Sequence, residues 1–123
     1  MHNARRAVQS KKDKESRRVE KFEELVTAVY EFEAWLDDRE RMSAFGEDVK
    51  IGISPFAKLE AISAVYFPRF MKKIEALAAA AKNYQAWMGG AGYRRTSGKD
   101  AAAINAGLLE VYNPYLERRN ELL

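Results

Sequence analysis

The chain has 123 residues, 47% of them hydrophobic and 32% charged, with no cysteine and a single histidine, His2. That length gives one domain with a real core, and the balance of apolar and charged residues excludes a disordered chain. Disulfides, thiolate metal sites and cysteine or Ser-His-Asp nucleophiles are excluded by composition, and a di-iron or zinc centre has almost no ligands to draw on. The net charge of +3 is unevenly spread. Residues 1–21 carry eight basic residues against three acidic, a balance of +5, whereas residues 22–123 carry thirteen against fifteen, a balance of −2. No apolar run is long enough to cross a bilayer, and no apolar core of a signal peptide stands near Met1.

The first predicted helix runs from about Lys12 to Phe45. Phe22, Leu25, Val29, Phe32 and Leu36 recur at alternating spacings of 3 and 4, with Val19, Val26 and Tyr30 widening the stripe. Before Lys12 this period is lost, so residues 1–11 read as a flexible basic arm and 12–123 as a single helical domain. Gly46 to Gly52 breaks the helix.

The second predicted helix opens at Ser54-Pro55, a serine that can accept from free N–H groups before a proline tolerated in the first turn. Phe67, Phe70, Ile74, Leu77, Ala81, Tyr84 and Met88 keep helical spacing. The earlier set, Phe56, Leu59, Ile62 and Tyr66, is out of register with it, and Pro68 at the change predicts a kink. Gly89, Gly90 and Gly92 are expected to end the helix.

The third helix is expected from Ser97 or Asp100, where Ser97-Gly98-Lys99-Asp100 has capping-box spacing. Ile104, Leu108, Val111, Tyr115 and Leu122 form one stripe, and Leu109, Tyr112, Leu116 and Leu123 a second, with a bend expected at Pro114. These elements predict an all-α fold: an antiparallel three-helix bundle built on a long helical hairpin, kinked near Pro68 and Pro114.

Chemistry-bearing residues are few. Glu33, Asp37 and Glu40 share one face of the first helix and overlap its apolar arc, which suits a cation site or, more simply, an ion pair with Arg69 across the hairpin. Gly92 to Lys99 has the wrong spacing and follows a helix rather than a strand, so it is not a phosphate-binding loop. Trp35 and Met42 lie off the main stripe of the first helix and Trp87 off that of the second. Together with Leu109 and Leu116 they are the expected interface residues. Arg5, Arg6, Lys11, Lys12, Arg17, Arg18, Arg94 and Arg95 are the candidates for polyanion contact.

The expected function is a non-enzymatic helical interaction or scaffolding module that self-associates, most simply as a dimer. It has no cofactor, no metal and no small-molecule substrate. The alternative is a nucleic-acid or anionic-surface binder that uses the basic arm, and an enzyme built on the carboxylate row is least supported. The order of Arg5-Arg6, a mixed Lys/Arg/Glu helix and an apolar helix resembles the cytosolic start of small single-pass bacterial membrane proteins, over about twenty residues. It implies no particular family. The expected location is the cytoplasm, or the cytosolic face of a membrane if the chain is a piece of a longer, anchored protein.

Overall fold

The computed structural model describes the backbone of residues 2–123 and the side chains from Val8 onward. Its elements are α1 (His2–Ser43), α2 (Phe56–Tyr66), a short 3-10 turn (Pro68–Phe70), α3 (Met71–Thr96), α4 (Ala101–Asn105) and α5 (Leu108–Leu122). No strand occurs among the described residues, so the all-helical expectation holds. No helix of the described residues is long and apolar enough to cross a membrane.

α1 begins at His2, earlier than the Lys12 start that the loss of apolar period predicts. Lysine, arginine and glutamate are good helix formers, and neighbours one turn apart interact without any apolar stripe. Gln9 donates to Asp13 at 3.3 Å in this way. The helix ends in a tight turn. Gly46 adopts a left-handed φ of +69°, its N–H donates to the Met42 carbonyl at 3.1 Å, and the Glu47 N–H donates to that of Arg41 at 3.0 Å. These bonds take up carbonyls that the helix end leaves free. α2 opens at the expected signal, where the Phe56 N–H donates to Ser54 Oγ at 3.3 Å.

The second predicted helix is two helices. Phe67 leaves helical geometry with φ −137° and ψ 57°, and Pro68 opens the 3-10 turn, where its missing N–H costs nothing. Contacts on either side show that the chain reverses here. Lys58 meets Glu31 and Lys21 lies over Tyr66, so α2 runs antiparallel to α1. Phe67 meets Phe22 and Tyr84 meets Glu40, so α3 runs parallel to α1. The kink expected at Pro68 is therefore a turn, and the long hairpin of the expected three-helix bundle is replaced by two shorter reversals. α5 runs antiparallel to α3, as shown by Lys73 donating to the Glu121 carbonyl and Tyr84 packing on Tyr112. Pro114 sits inside α5, which runs as one helix across it.

Gly89, Gly90 and Gly92 do not end α3, which continues to Thr96. Gly92 has a packing role instead. A Cβ placed there would lie 2.1 Å from the Ser43 carbonyl oxygen, so only glycine lets α3 pass the end of α1 this closely. The break predicted after these glycines comes later, at residues 97–100, where Asp100 caps α4 by accepting from the Ala103 N–H at 2.9 Å. A further break falls at Gly107, with φ +80°, between α4 and α5.

The core joins Leu25, Val29, Phe32 and Leu36 of α1 to Leu59 and Ile62 of α2, Ile74, Leu77, Tyr84 and Met88 of α3, and Tyr115 and Leu122 of α5. It starts at Leu25. Every described side chain from Val8 to Glu20 is exposed.

Candidate binding surfaces

The two tryptophans are occupied within the chain. Trp35 stacks on Phe32 and donates its indole N–H to the Gly52 carbonyl at 2.9 Å, tying down the connection between α1 and α2. Trp87 donates to the Ala106 carbonyl at 2.8 Å and so holds the junction of α4 and α5. Leu116 packs partly against the core. Met42 is half-buried, and of the expected interface residues only Leu109 is largely exposed. The tryptophans lie off the main stripes because they reach loops, which a helical pattern cannot distinguish from reaching a partner.

The basic candidates divide into two groups. Arg94 donates to the carbonyls of Ala103 at 2.8 Å and Ile104 at 3.0 Å, and Arg95 donates to that of Ala44 at 3.1 Å. Both guanidinium groups therefore satisfy helix-end carbonyls. Lys11, Lys12, Arg17 and Arg18 stand exposed along α1. The side chains of Arg5 and Arg6 lie outside the described residues.

Where this arm meets the body there is a shallow apolar groove of about 440 Å³, lined by Glu15, Arg18, Val19, Phe22, Phe67 and Arg69. Val19 is 59% exposed and Phe22 40%, although Phe22 also meets the buried Phe67 ring edge-on at 5.9 Å. α1 itself changes sign at this point. Residues 22–43 carry seven acidic residues against two basic, a balance of −5, directly after the +5 of residues 1–21.

The carboxylate row takes partners other than the expected one. Glu33 pairs with Arg119 of α5, and Glu40 accepts a hydrogen bond from the Tyr84 hydroxyl. Arg69 instead lies over the Phe70 ring. Among the described residues no group of three histidines, aspartates or glutamates is gathered closely enough to hold a metal ion.

The row does border a cleft of about 320 Å³ between α1, α3 and α5, walled by Tyr30, Tyr84, Tyr112 and Tyr115 together with Glu33 and Asp37. Burial raises the Tyr84 hydroxyl well above the ordinary tyrosine range, and the bond to Glu40 adds to the effect. Tyr115 is raised likewise, first by burial and then by the charge of Glu33. Tyr112 and Tyr115 fall on the two adjacent apolar stripes of the third predicted helix, and nothing in their spacing shows that both would line one cleft with Asp37. Compared with protein-family models, curated proteins and solved structures, the chain has no significant match.

Proposed function

We propose that the chain is a non-enzymatic interaction module that self-associates through α1, two copies lying antiparallel with Phe22 near the twofold axis. The carrying observation is the exposed first half of α1, whose described side chains bury nothing before Lys21. In this arrangement the basic half of one α1 crosses the acidic half of the other. Glu23, Thr27 and Glu31 leave an exposed face on that acidic half, and Val19 and Phe22 supply apolar contact at the centre. A twofold axis makes one patch complementary to itself, and opposite charges set the register more than the strength of the pairing. The tryptophans have no part in this surface.

Light scattering during size exclusion is the test. At 50 mM salt the mass is expected near twice the 14.0 kDa of the chain. It falls toward the single-chain value at 500 mM, because screening weakens exposed charge pairs. Reversing Lys14, Arg17 and Arg18 to glutamate abolishes pairing, and adding Glu23→Lys and Glu31→Lys restores it. A mass of one chain at 50 mM salt and high micromolar concentration defeats the reading.

A second reading rests on the same exposed lysines and arginines: the arm contacts nucleic acid or an anionic membrane surface. In that case binding to a DNA duplex or to phosphatidylserine vesicles falls steeply with salt, and the neutral change Val19→Ser leaves it unchanged.

A further inference from the structure

The tyrosine-walled cleft is independent of the α1 arm, and it holds the carboxylate row that self-association does not use. Of its two lining carboxylates, Glu33 is engaged by Arg119, whereas Asp37 is exposed and accepts no hydrogen bond among the described residues. The third carboxylate of the row, Glu40, is held by Tyr84 just behind the wall. Among the described residues Arg119 is the only basic side chain in an ion pair with the row, so the cleft keeps a negative balance.

A separate observation comes from Tyr115. It lines the same cleft and is 1% exposed, and its buried hydroxyl has no hydrogen-bond partner among the described residues. Buried hydroxyls are normally satisfied. The tyrosine rings around it are tilted against one another, with Tyr112 at 5.4 Å from Tyr84 and 6.2 Å from Tyr115 between ring centroids. Tilted aromatic walls next to a carboxylate attract an organic cation, whose charge the ring faces stabilise. A bare metal ion fits poorly. It would leave most of a 320 Å³ cleft empty, and one free carboxylate supplies too few oxygens.

We infer that this cleft binds an alkylammonium ion, its charge against Asp37, its alkyl chain among Tyr30 and Tyr112, and one N–H donated to the Tyr115 hydroxyl oxygen. Such an ion has two sources with the same chemistry, a free small amine or the lysine side chain of another protein.

The test is an NMR amide titration of the full chain at constant ionic strength. Its arms are n-butylammonium chloride, tetramethylammonium chloride, sodium chloride, and a Gly-Lys-Gly peptide blocked at both ends. Expected are saturable shifts with n-butylammonium, centred on residues 30–37 of α1 and 112–119 of α5, and none with sodium. Tetramethylammonium, which has no N–H to give, binds several-fold more weakly. Binding of the peptide as tightly as the amine identifies a lysine side chain as the ligand; binding of the amine alone identifies a free amine. Asp37→Asn is at an exposed position, so it folds, and it weakens binding roughly tenfold. Tyr115→Phe weakens it roughly tenfold, the loss of one hydrogen bond to a charged group from a site that is otherwise kept. Shifts with n-butylammonium no larger than with sodium, or an affinity untouched by Asp37→Asn, overturn the assignment.

Discussion

The two halves of α1 share one continuous backbone and have opposite surroundings. From Leu25 onward the helix buries Leu25, Ala28, Val29, Phe32 and Leu36 against three other helices. Before Lys21 no described side chain is buried, and those from Val8 to Glu20 are lysine, arginine, aspartate, glutamate, glutamine and serine, with Val8 and Val19 the apolar ones. In the packed half, tertiary contacts hold the helix. In the exposed half, propensity, local bonds such as that from Gln9 to Asp13 and continuity with the packed half do so, and near the junction Arg18 lies over the Phe67 ring. Isolated helices of such length are marginal in water. The exposed half therefore owes its order to the packed half, and the dependence does not run the other way.

Truncation on either side of the boundary breaks or sharpens this contrast. Leu25→Ala is expected to cost about 2–5 kcal/mol by leaving a cavity in the core, whereas Val19→Ala stays within about 0.5 kcal/mol. Urea unfolding followed by circular dichroism measures both. Comparable losses at the two sites mean that the exposed half is packed after all.

The next largest effect lies where α1 ends. Gly92→Ala drives a methyl group into the Ser43 carbonyl and costs about 3 kcal/mol, at the upper end of overpacking. Gly89, three residues earlier in the same helix, faces nothing within 4 Å. Gly89→Ala is expected to stabilise by about 0.5–1 kcal/mol, because alanine loses less freedom than glycine in a helix. Melting temperatures moving in the same direction for both variants would refute the assigned contact.

A smaller, pH-dependent effect belongs to the packed half alone. Tyr84 and Tyr115 both have hydroxyls raised above the ordinary tyrosine value of 10.0. The folded state holds these protons more tightly than the unfolded chain, so the stability they contribute is complete below pH 10 and is lost as pH rises past it. Each tyrosine gives up about 1.4 kcal/mol per pH unit above that point. Tyr84→Phe is expected to flatten the alkaline fall in stability. A variant lacking residues 1–18 is expected to keep it unchanged, and a changed slope would place the exposed half in contact with the cleft.

Features written in adjacent residues were legible in the sequence. Ser54 before Pro55, Asp100 three residues before Ala103, and Gly46 after the first apolar stripe each mark an element boundary through chemistry that acts within one turn. Features that depend on what lies opposite were not. Pro68 is as compatible with a kinked helix as with the first turn of a new one, and only the packing of Phe67 on Phe22 decides for a reversal. Gly92 carries the local sign of a helix end, yet its role is set by Ser43, far away in sequence. Trp35 and Trp87 reach backbone carbonyls in loops, for which no spacing rule exists. The carboxylate row was visible as a row; its partners Arg119 and Tyr84 come from helices whose direction was not visible.

The adjacent residues Arg94 and Arg95 have a consequence for how the chain opens. Arg94 holds carbonyls of α4 and Arg95 holds the end of α1 at Ala44, while Gly46 leaves room for the Arg95 guanidinium and no side chain of its own. One turn of α3 is thus the common clasp of two connections distant in sequence. Local unfolding proceeds in cooperative units rather than residue by residue. Fraying of the last turn of α3 therefore releases both connections in a single event, and amide protons at Gly46 and Ala106 exchange at linked rates, even though sixty residues of sequence separate them.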